Sequence, residues 1–163
     1  MNFCPQCATP VLWRFEAGRQ RATCPGCGWI QYDDPKLVAV AVIPVEGKLI
    51  LGKRAINPRI GYWSFPSGYV NRGEAVPDAM VREVQEETCI EVEVEQLLGL
   101  YSETANPIVL AVYVARWVAG SLAAGDEVSE VGLFAPWCLP DLAFPNDQRI
   151  VRDWLSYAQT RAL

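Results

Sequence analysis

Three glutamates, Glu83, Glu86 and Glu87, stand at i, i+3 and i+4. On a helix this spacing gathers their carboxylates within about one third of the circumference. Eight of the 19 acidic residues fall between Glu74 and Glu95, where Arg82 is the only base. Like charges so placed repel unless a cation neutralises them. Hard oxygen donors with no imidazole or thiolate among them suit Mg2+ or Mn2+. Taken alone, the same pattern also describes a solvated acidic helix face. The 163-residue chain contains no histidine. Ser-His-Asp and Cys-His triads are therefore excluded, and acid–base or metal work falls to carboxylates, thiolates, lysine or tyrosine.

A second constellation occupies the N-terminus. Four of the six cysteines form two knuckles, Cys4-Pro-Gln-Cys7 and Cys24-Pro-Gly-Cys27, separated by 16 residues. A Cys-x2-Cys turn aims two sulfurs at one ion, and this spacer is long enough for a hairpin that returns the second pair to the first. The pattern predicts one structural Zn2+ held by four thiolates. A segment this short buries too little surface to fold without its metal. The other two cysteines, Cys89 and Cys138, read as small buried thiols.

These residues must be carried by elements that the sequence also marks. Val11 to Phe15 and Arg21 to Thr23, joined by Ala17-Gly18, predict a hairpin of two short strands. Leu37 to Ile43, Leu49 to Leu51, Glu91 to Tyr101, Ile108 to Val118 and Val128 to Phe134 read as strands, with a hairpin turn at Glu46-Gly47. Pro77 to Thr88 predicts the helix that bears the glutamates, with Pro77 in its first turn. A last helix is expected to be capped by Asn146 and to turn Ile150, Val151, Trp154, Leu155 and Ala158 inward. Interleaved strands and helices predict an α/β fold with a mixed sheet flanked by helices, preceded by a zinc-ribbon module. The expected division is a ribbon over residues 1–34 and a second domain over 35–163.

Composition narrows the partners. Fourteen bases against 19 acids, a net charge of −5, argue against phosphate-backbone binding as the main activity, so nucleic acid is not the expected partner. Neither a secretion signal nor an apolar run long enough for a membrane span is present, and the thiol-rich chain is expected to be cytoplasmic. Trp13, Phe15, Trp29 and Ile30 exceed what so small a ribbon buries alone. They are expected to pack on the second domain or on a second subunit, which makes a homodimer the expected assembly.

Gly68, five residues, Glu74, seven residues, then Arg82-Glu83-Val84-Gln85-Glu86-Glu87-Thr88-Cys89-Ile90 resembles the signature of the Nudix hydrolases, G-x5-E-x7-R-E-U-x-E-E-x-G-U with U aliphatic. Every defined position matches except the second glycine, which is Cys89. A cysteine with positive φ costs about 1 kcal/mol, so the helix is expected to end in another geometry. Trp63-Ser64-Phe65-Pro66-Ser67-Gly68 is similar to the lead-in common in that family, and Glu127-Val128-Ser129-Glu130-Val131 to its late acidic strand. The resemblance covers residues 37 to about 145 and implies the Nudix α/β/α sandwich. It further implies that Glu83, Glu86 and Glu87, with the carbonyl of Gly68, hold catalytic Mg2+ or Mn2+. Arg82 would orient a glutamate through a bidentate contact, and Glu74 would add a ligand directly or through water. The implied reaction is hydrolysis of a pyrophosphate link by metal-activated water, with a glutamate as base, either on the helix or at Glu127 or Glu130.

A ribbon ahead of such a domain resembles NADH pyrophosphatases and a set of smaller members associated with ADP-ribose or FAD. Tyr101 to Pro107 lacks the Ser-Gln-Pro-Trp-Pro-Phe-Pro-like element of the first group, which favours the second. The expected substrate is a dinucleotide of the FAD, ADP-ribose or NADH type. The competing readings are a nucleoside triphosphate or capped-RNA hydrolase, and a non-catalytic nucleotide sensor whose ribbon binds a partner. Tyr62, Trp63, Phe65 and Tyr69 are candidates to stack on a base or to pack in the core. Arg54, Arg59 and Arg72 are candidates to meet substrate phosphates.

Overall fold

A computed structural model describes residues 1–161. Two compact units divide the chain, Met1–Pro35 and the remainder from Lys36. In the first, β1 (Leu12–Glu16) and β2 (Arg19–Thr23) pair antiparallel. Ala17 and Gly18 both have positive φ between them, the backbone that a two-residue hairpin turn requires. The two knuckles repeat one design. The N–H of Ala8 donates to the carbonyl of Cys4 and that of Gly28 to Cys24, and Ala8 and Gly28 are both left-handed. Cys4 and Cys24 are buried, whereas Trp13 and Phe15 are exposed.

The second unit contains β3 (Lys36–Val42), β4 (Pro44–Val45), β5 (Lys48–Arg54), β6 (Trp63–Ser64), β7 (Ser67–Tyr69), α1 (Val76–Thr88), β8 (Ile90–Ser102), β9 (Ile108–Gly120), β10 (Val128–Phe134) and α2 (Pro145–Arg161). One sheet has the order β7-β3-β9-β8, with β3 and β9 parallel and the other pairs antiparallel; the other has β10-β5-β4, with β6 added to β5. The first sheet is mixed, as alternation of strands and helices predicts, and the second is antiparallel throughout.

Strand parity decides what each face buries. Val38, Val40 and Val42 of β3, with Val112 and Val114 of β9, meet Leu49 and Leu51 of β5 and Ile150, Val151 and Trp154 of α2. The intervening Ala39, Ala41 and Ile43 meet Ala79, Met80 and Val84 of α1. Alanines on that side let α1 lie close to the sheet, and the two helices cover opposite faces of β3. Leu155 faces solvent. Among the described residues no helix is long and apolar enough to cross a membrane.

Two expectations about helix ends are corrected. Cys89 does adopt the left-handed conformation, φ 58° and ψ 17°, and its N–H reaches the carbonyl of Gln85 at 3.1 Å. The turn wins because residues on both sides are fixed: Thr88 and Ile90 are fully buried, so the chain must reverse there whatever the side chain. The side chains of Cys89 and Cys138 are also exposed rather than buried. At the second helix Asn146 is not the cap. Asp147 Oδ2 accepts the N–H of Phe144 at 2.9 Å, the reach-back of a capping box, so the helix starts at Pro145 with its ring in the first position.

Candidate active site

Three tethers assemble the site around α1. The helix presents Glu83, Glu86 and Glu87 while burying Ala79, Met80 and Val84, so the acidic arc lies beside the buried one. β7 passes against that arc. A Cβ at Gly68 would collide with the Glu83 carboxylate, so only glycine permits the approach. The N–H of Ser67 donates to Glu87 Oε2 at 3.0 Å, fixing strand to helix.

The third tether is the loop before β10. The last carbonyls of a helix have no partners within it. Here the N–H of Ala123 reaches Thr88 at 3.0 Å and that of Gly125 reaches Glu87 at 3.0 Å. Gly125 has no room for a side chain, because a Cβ there would strike the carbonyl of Glu86. Two residues further on, the carbonyl of Glu127 accepts the N–H of Ala55 at 2.9 Å, extending the β5–β10 pairing. Asp126 and Glu127 thereby join Glu83, Glu86 and Glu87 around one acidic recess of about 180 Å³.

Arg82 is the internal counter-charge. Its Nε and Nη2 donate to the two oxygens of Glu74 at 2.8 and 3.2 Å, and Nη1 donates to Glu83 at 2.7 Å and Glu86 at 3.1 Å. Nη2 also reaches the carbonyl of Tyr69 at 3.2 Å. Five contacts on a planar fork hold α1, β7 and the preceding loop in register, a task that a point-charge lysine cannot reproduce. Hydrogen bonds from Arg82 and from the N–H of Asn71 hold the Glu74 carboxyl well down, at about 2. Both Glu74 oxygens are thus engaged, and the residue braces the arginine. Glu87 is the opposite case: burial, reinforced by Glu83 and Glu127, raises it to about 8 against the pull of the Ser67 N–H and Arg54. Burial raises Glu83 as well, against its contact with Arg82.

Glu130 does not join the recess. A bulge between Val128 and Glu130 re-aims the strand, and Glu130 pairs with Lys53 at 2.7 Å in the open. Of the three candidate arginines, Arg54 alone lines the larger cleft of about 570 Å³ that continues from the acidic recess. Its Nε donates to the carbonyl of Pro58 at 2.8 Å and its guanidinium lies over the Phe144 ring, 5.1 Å from the centroid. Arg59 lies over Tyr62 instead. Phe65 is buried beneath the cleft and Tyr69 stands exposed at its edge, whereas Trp63 packs edge-on against Phe134.

The donor chemistry can be tested against the expected ions. The four cysteine sulfurs lie within 4.8 Å of one another, with Cys4–Cys27 at 3.6 Å and Cys7–Cys24 at 3.4 Å. Tetrahedral Zn–S bonds require sulfurs about 3.8 Å apart, so the set fits zinc. Among the described residues only these cysteines converge in that way. The carboxylates line their recess without closing a cage, which fits a small hard cation that keeps waters and is held jointly with substrate phosphate.

Two acids of the site escaped the sequence reading, Asp126 of the recess and Asp147 of the larger cleft. Asp147 is 4% exposed, and burial raises its carboxyl to about 7 against the Phe144 N–H and Arg54. The unfolded chain releases this proton near the ordinary carboxylate value while the native state retains it. Asp147 therefore subtracts stability as pH rises from about 4 to 7, by up to about 4 kcal/mol, and its contribution is flat above that. Asp147→Asn keeps the oxygen that caps Phe144 and removes the titration. Thermal unfolding across pH 4–8 is expected to show the variant gaining on the parent protein over that window; parallel curves would contradict it.

Comparison with known proteins agrees with this architecture. The NUDIX domain model matches residues 35–155, and the Nudix N-terminal zinc-ribbon model matches residues 2–33. An ADP-ribose pyrophosphatase of Methanocaldococcus jannaschii is 34% identical over 130 residues, 77% of this chain and 76% of that protein. An NAD-capped RNA hydrolase, NudC, of Chromobacterium violaceum is 29% identical over 149 residues, 88% of this chain but only 54% of the relative, so the chain spans about half the length of that protein. A NUDIX hydrolase of Nitrosomonas europaea has a crystal structure that superposes with a TM-score of 0.86 at 32% identity, covering 93% of this chain and 89% of the other. The chain therefore belongs to the NUDIX family, as a Nudix pyrophosphatase that carries the family's N-terminal zinc-ribbon module.

Proposed function

We propose that this protein hydrolyses the pyrophosphate link of a nucleoside diphosphate joined to a second group, with substrates of the ADP-ribose or FAD type, and that it requires Mg2+ or Mn2+. The observation that carries the reading is the meeting of the three α1 glutamates with Glu127 around one recess, continuous with a larger cleft. Similarity to the ADP-ribose pyrophosphatase over most of both chains supports a dinucleotide over capped RNA, and the acidic balance of the chain points the same way.

Glu83, Glu86 and Glu87, with the Gly68 carbonyl, are the proposed holders of the divalent ion. When bound, such an ion offsets phosphate charge and acidifies water. The chain supplies the rest. Arg82, committed to Glu74, Glu83 and Glu86, fixes the carboxylates before substrate arrives, so little reorganisation is needed at reaction. The proton of the attacking water passes to a glutamate oxygen. Glu130 is withdrawn to Lys53, which leaves the helical carboxylates and Glu127 for this role. Arg54 is the cleft cation free to meet the diphosphate, since Arg82 spends its donors on protein. The two chain units are proposed to serve separately, residues 1–34 as the zinc-bound module and 35–163 as the hydrolase.

The test is incubation of the full chain with FAD, NADH, ADP-ribose, diadenosine polyphosphates and nucleoside triphosphates, under Mg2+ and Mn2+, with identification of products. Two monophosphates from a dinucleotide are expected. Hydrolysis of triphosphates alone would replace the substrate assignment, and binding without turnover of any would overturn the catalytic reading.

A further inference from the structure

The larger cleft is lined by two arginines with opposite fates. Arg82 spends its fork on glutamates and on the Tyr69 carbonyl. Arg54 makes a single side-chain hydrogen bond among the described residues, from Nε to the carbonyl of Pro58 at 2.8 Å. A guanidinium carries five N–H donors, so those on Nη1 and Nη2 are left without a protein acceptor, in a half-buried side chain. Burial raises the carboxyls of Glu87 and Asp147, and the Arg54 charge opposes it at both, which sets the guanidinium between the acidic recess and the start of α2.

The ring of Phe144 holds this side chain in place. The guanidinium lies over it, 5.1 Å from the centroid, within cation–π range. The second sheet delivers both partners. Arg54 ends β5, where its N–H donates to the Tyr62 carbonyl at 2.9 Å and its carbonyl accepts the Gly61 N–H at 2.8 Å; the intervening loop folds back and brings Pro58 to the side chain. Trp63 of β6 pairs with Lys53 of β5. The Trp63 N–H donates to the carbonyl of Asp141 at 2.9 Å, and the Trp63 carbonyl accepts the Ala143 N–H at 2.8 Å. Phe144 follows at once, its own N–H held by Asp147 at 2.9 Å. Ring and carbonyl are thus fixed by backbone bonds before any ligand arrives. A free arginine samples many rotamers, which a ligand would have to arrest. A carboxylate would also fix it, but would occupy the donors and offset the charge. An aromatic face fixes the guanidinium and leaves its N–H edge open, the arrangement suited to phosphate oxygens that accept paired N–H bonds.

Resting on the pyrophosphatase reading, we propose that Phe144 is a positioning residue, whose ring, together with the Pro58 carbonyl, holds the Arg54 guanidinium with its Nη donors free for the diphosphate. Phe144 acts through Arg54 and needs no contact of its own with the reacting groups.

Calorimetric binding of α,β-methylene-ADP, a diphosphate that is not cleaved, to the full chain under Mg2+ tests this without turnover. Phe144→Leu keeps apolar volume and the backbone N–H that Asp147 accepts while removing the ring face, and is expected to weaken binding about tenfold. Arg54→Gln is expected to weaken it by at least as much, about tenfold or more. Phe144→Tyr restores the face and is expected to bind within about twofold of the native protein. The deciding measurement is the double variant. Because the ring works through the arginine, Phe144→Leu is expected to change affinity by less than about twofold once Arg54 is Gln. An undiminished loss in that background would mean that Phe144 serves the ligand or the packing by itself, and overturns the inference. Native affinity in Phe144→Leu, or no measurable binding by the native protein, overturns it as well. A fluorinated phenylalanine at 144, similar in shape with a weakened ring face, repeats the test if Phe144→Leu melts early. If no dinucleotide is hydrolysed but the cycle is non-additive, the pyrophosphatase reading fails and the arginine cradle stands.

Discussion

Glu86→Gln is expected to lower kcat by at least about a hundredfold while leaving the fold intact. Glu86 is the most exposed of the three helical glutamates, with 58% of its side chain accessible, and its one protein contact is a shared donor of Arg82. Arg82 keeps Glu74 and Glu83 when that contact is lost. A surface substitution of this kind changes stability by no more than about 0.5 kcal/mol, and here it also relieves repulsion within the acidic arc. The loss must therefore appear as chemistry, with an unchanged melting temperature. Glu87→Gln is the companion variant. An amide oxygen still accepts the Ser67 N–H, and a neutral group suits a position whose carboxyl is already pushed up to about 8. Its fold should persist and its turnover should fall likewise. Formation of the two monophosphates under Mg2+ and thermal melting measure both quantities. Full activity in both variants would sink the assignment of α1 as the metal-holding element.

The largest expected effect on folding concerns the other unit. Removing zinc, by chelation at low pH or by Cys24→Ser, should unfold residues 1–35 and leave the unit from Lys36 folded. The hairpin of β1 and β2 has ten strand residues with Ala22 and Thr23 its only buried ones, whereas the second unit has two apolar cores of its own. Structural zinc contributes on the order of 10 kcal/mol to such modules, far more than this hairpin could supply. Metal analysis should find about one zinc per chain. Amide exchange should show protection lost at the knuckle amides of Ala8 and Gly28 while β3 and β9 keep theirs. Zinc-free protein with those amides still protected would show that the thiols are structural without metal.

What could be read from the sequence follows from how local each signal is. The knuckles, the long strands and α1 announce themselves through spacing and periodicity within a few residues. The short strands β6 and β7 do not. Two or three residues that include Ser67 and Gly68 carry no period, and their pairing is specified by β5 and β3 far away in sequence. Glu127 and Glu130 looked equivalent, three residues apart beside a strand. A single bulge separates them, and nothing in the residue types marks it. Asp147 was hidden by its neighbour: Asn146 is the better cap by preference, but with Pro145 in the first helical position the reach-back falls to the residue two further on. Cys89 shows the reverse error. Intrinsic preference for glycine at a left-handed position is worth about 1 kcal/mol, less than burial of the residues on either side.

The loop that closes onto α1 constrains evolution and engineering in an unusual way. Its grip on the helix uses main-chain N–H groups of Ala123 and Gly125 and main-chain carbonyls of Glu87 and Thr88. Leu122 packs against the core beside α1, while side chains at 121, 123 and 124 can drift without loosening that grip. The number of residues between Gly125 and Glu127 cannot, since each residue added or removed displaces the chain by about 3.4 Å, more than the length of a hydrogen bond. Homologous loops grafted here should be judged by length, by glycine at the contact point and by an apolar residue at 122, with the rest of their composition left free.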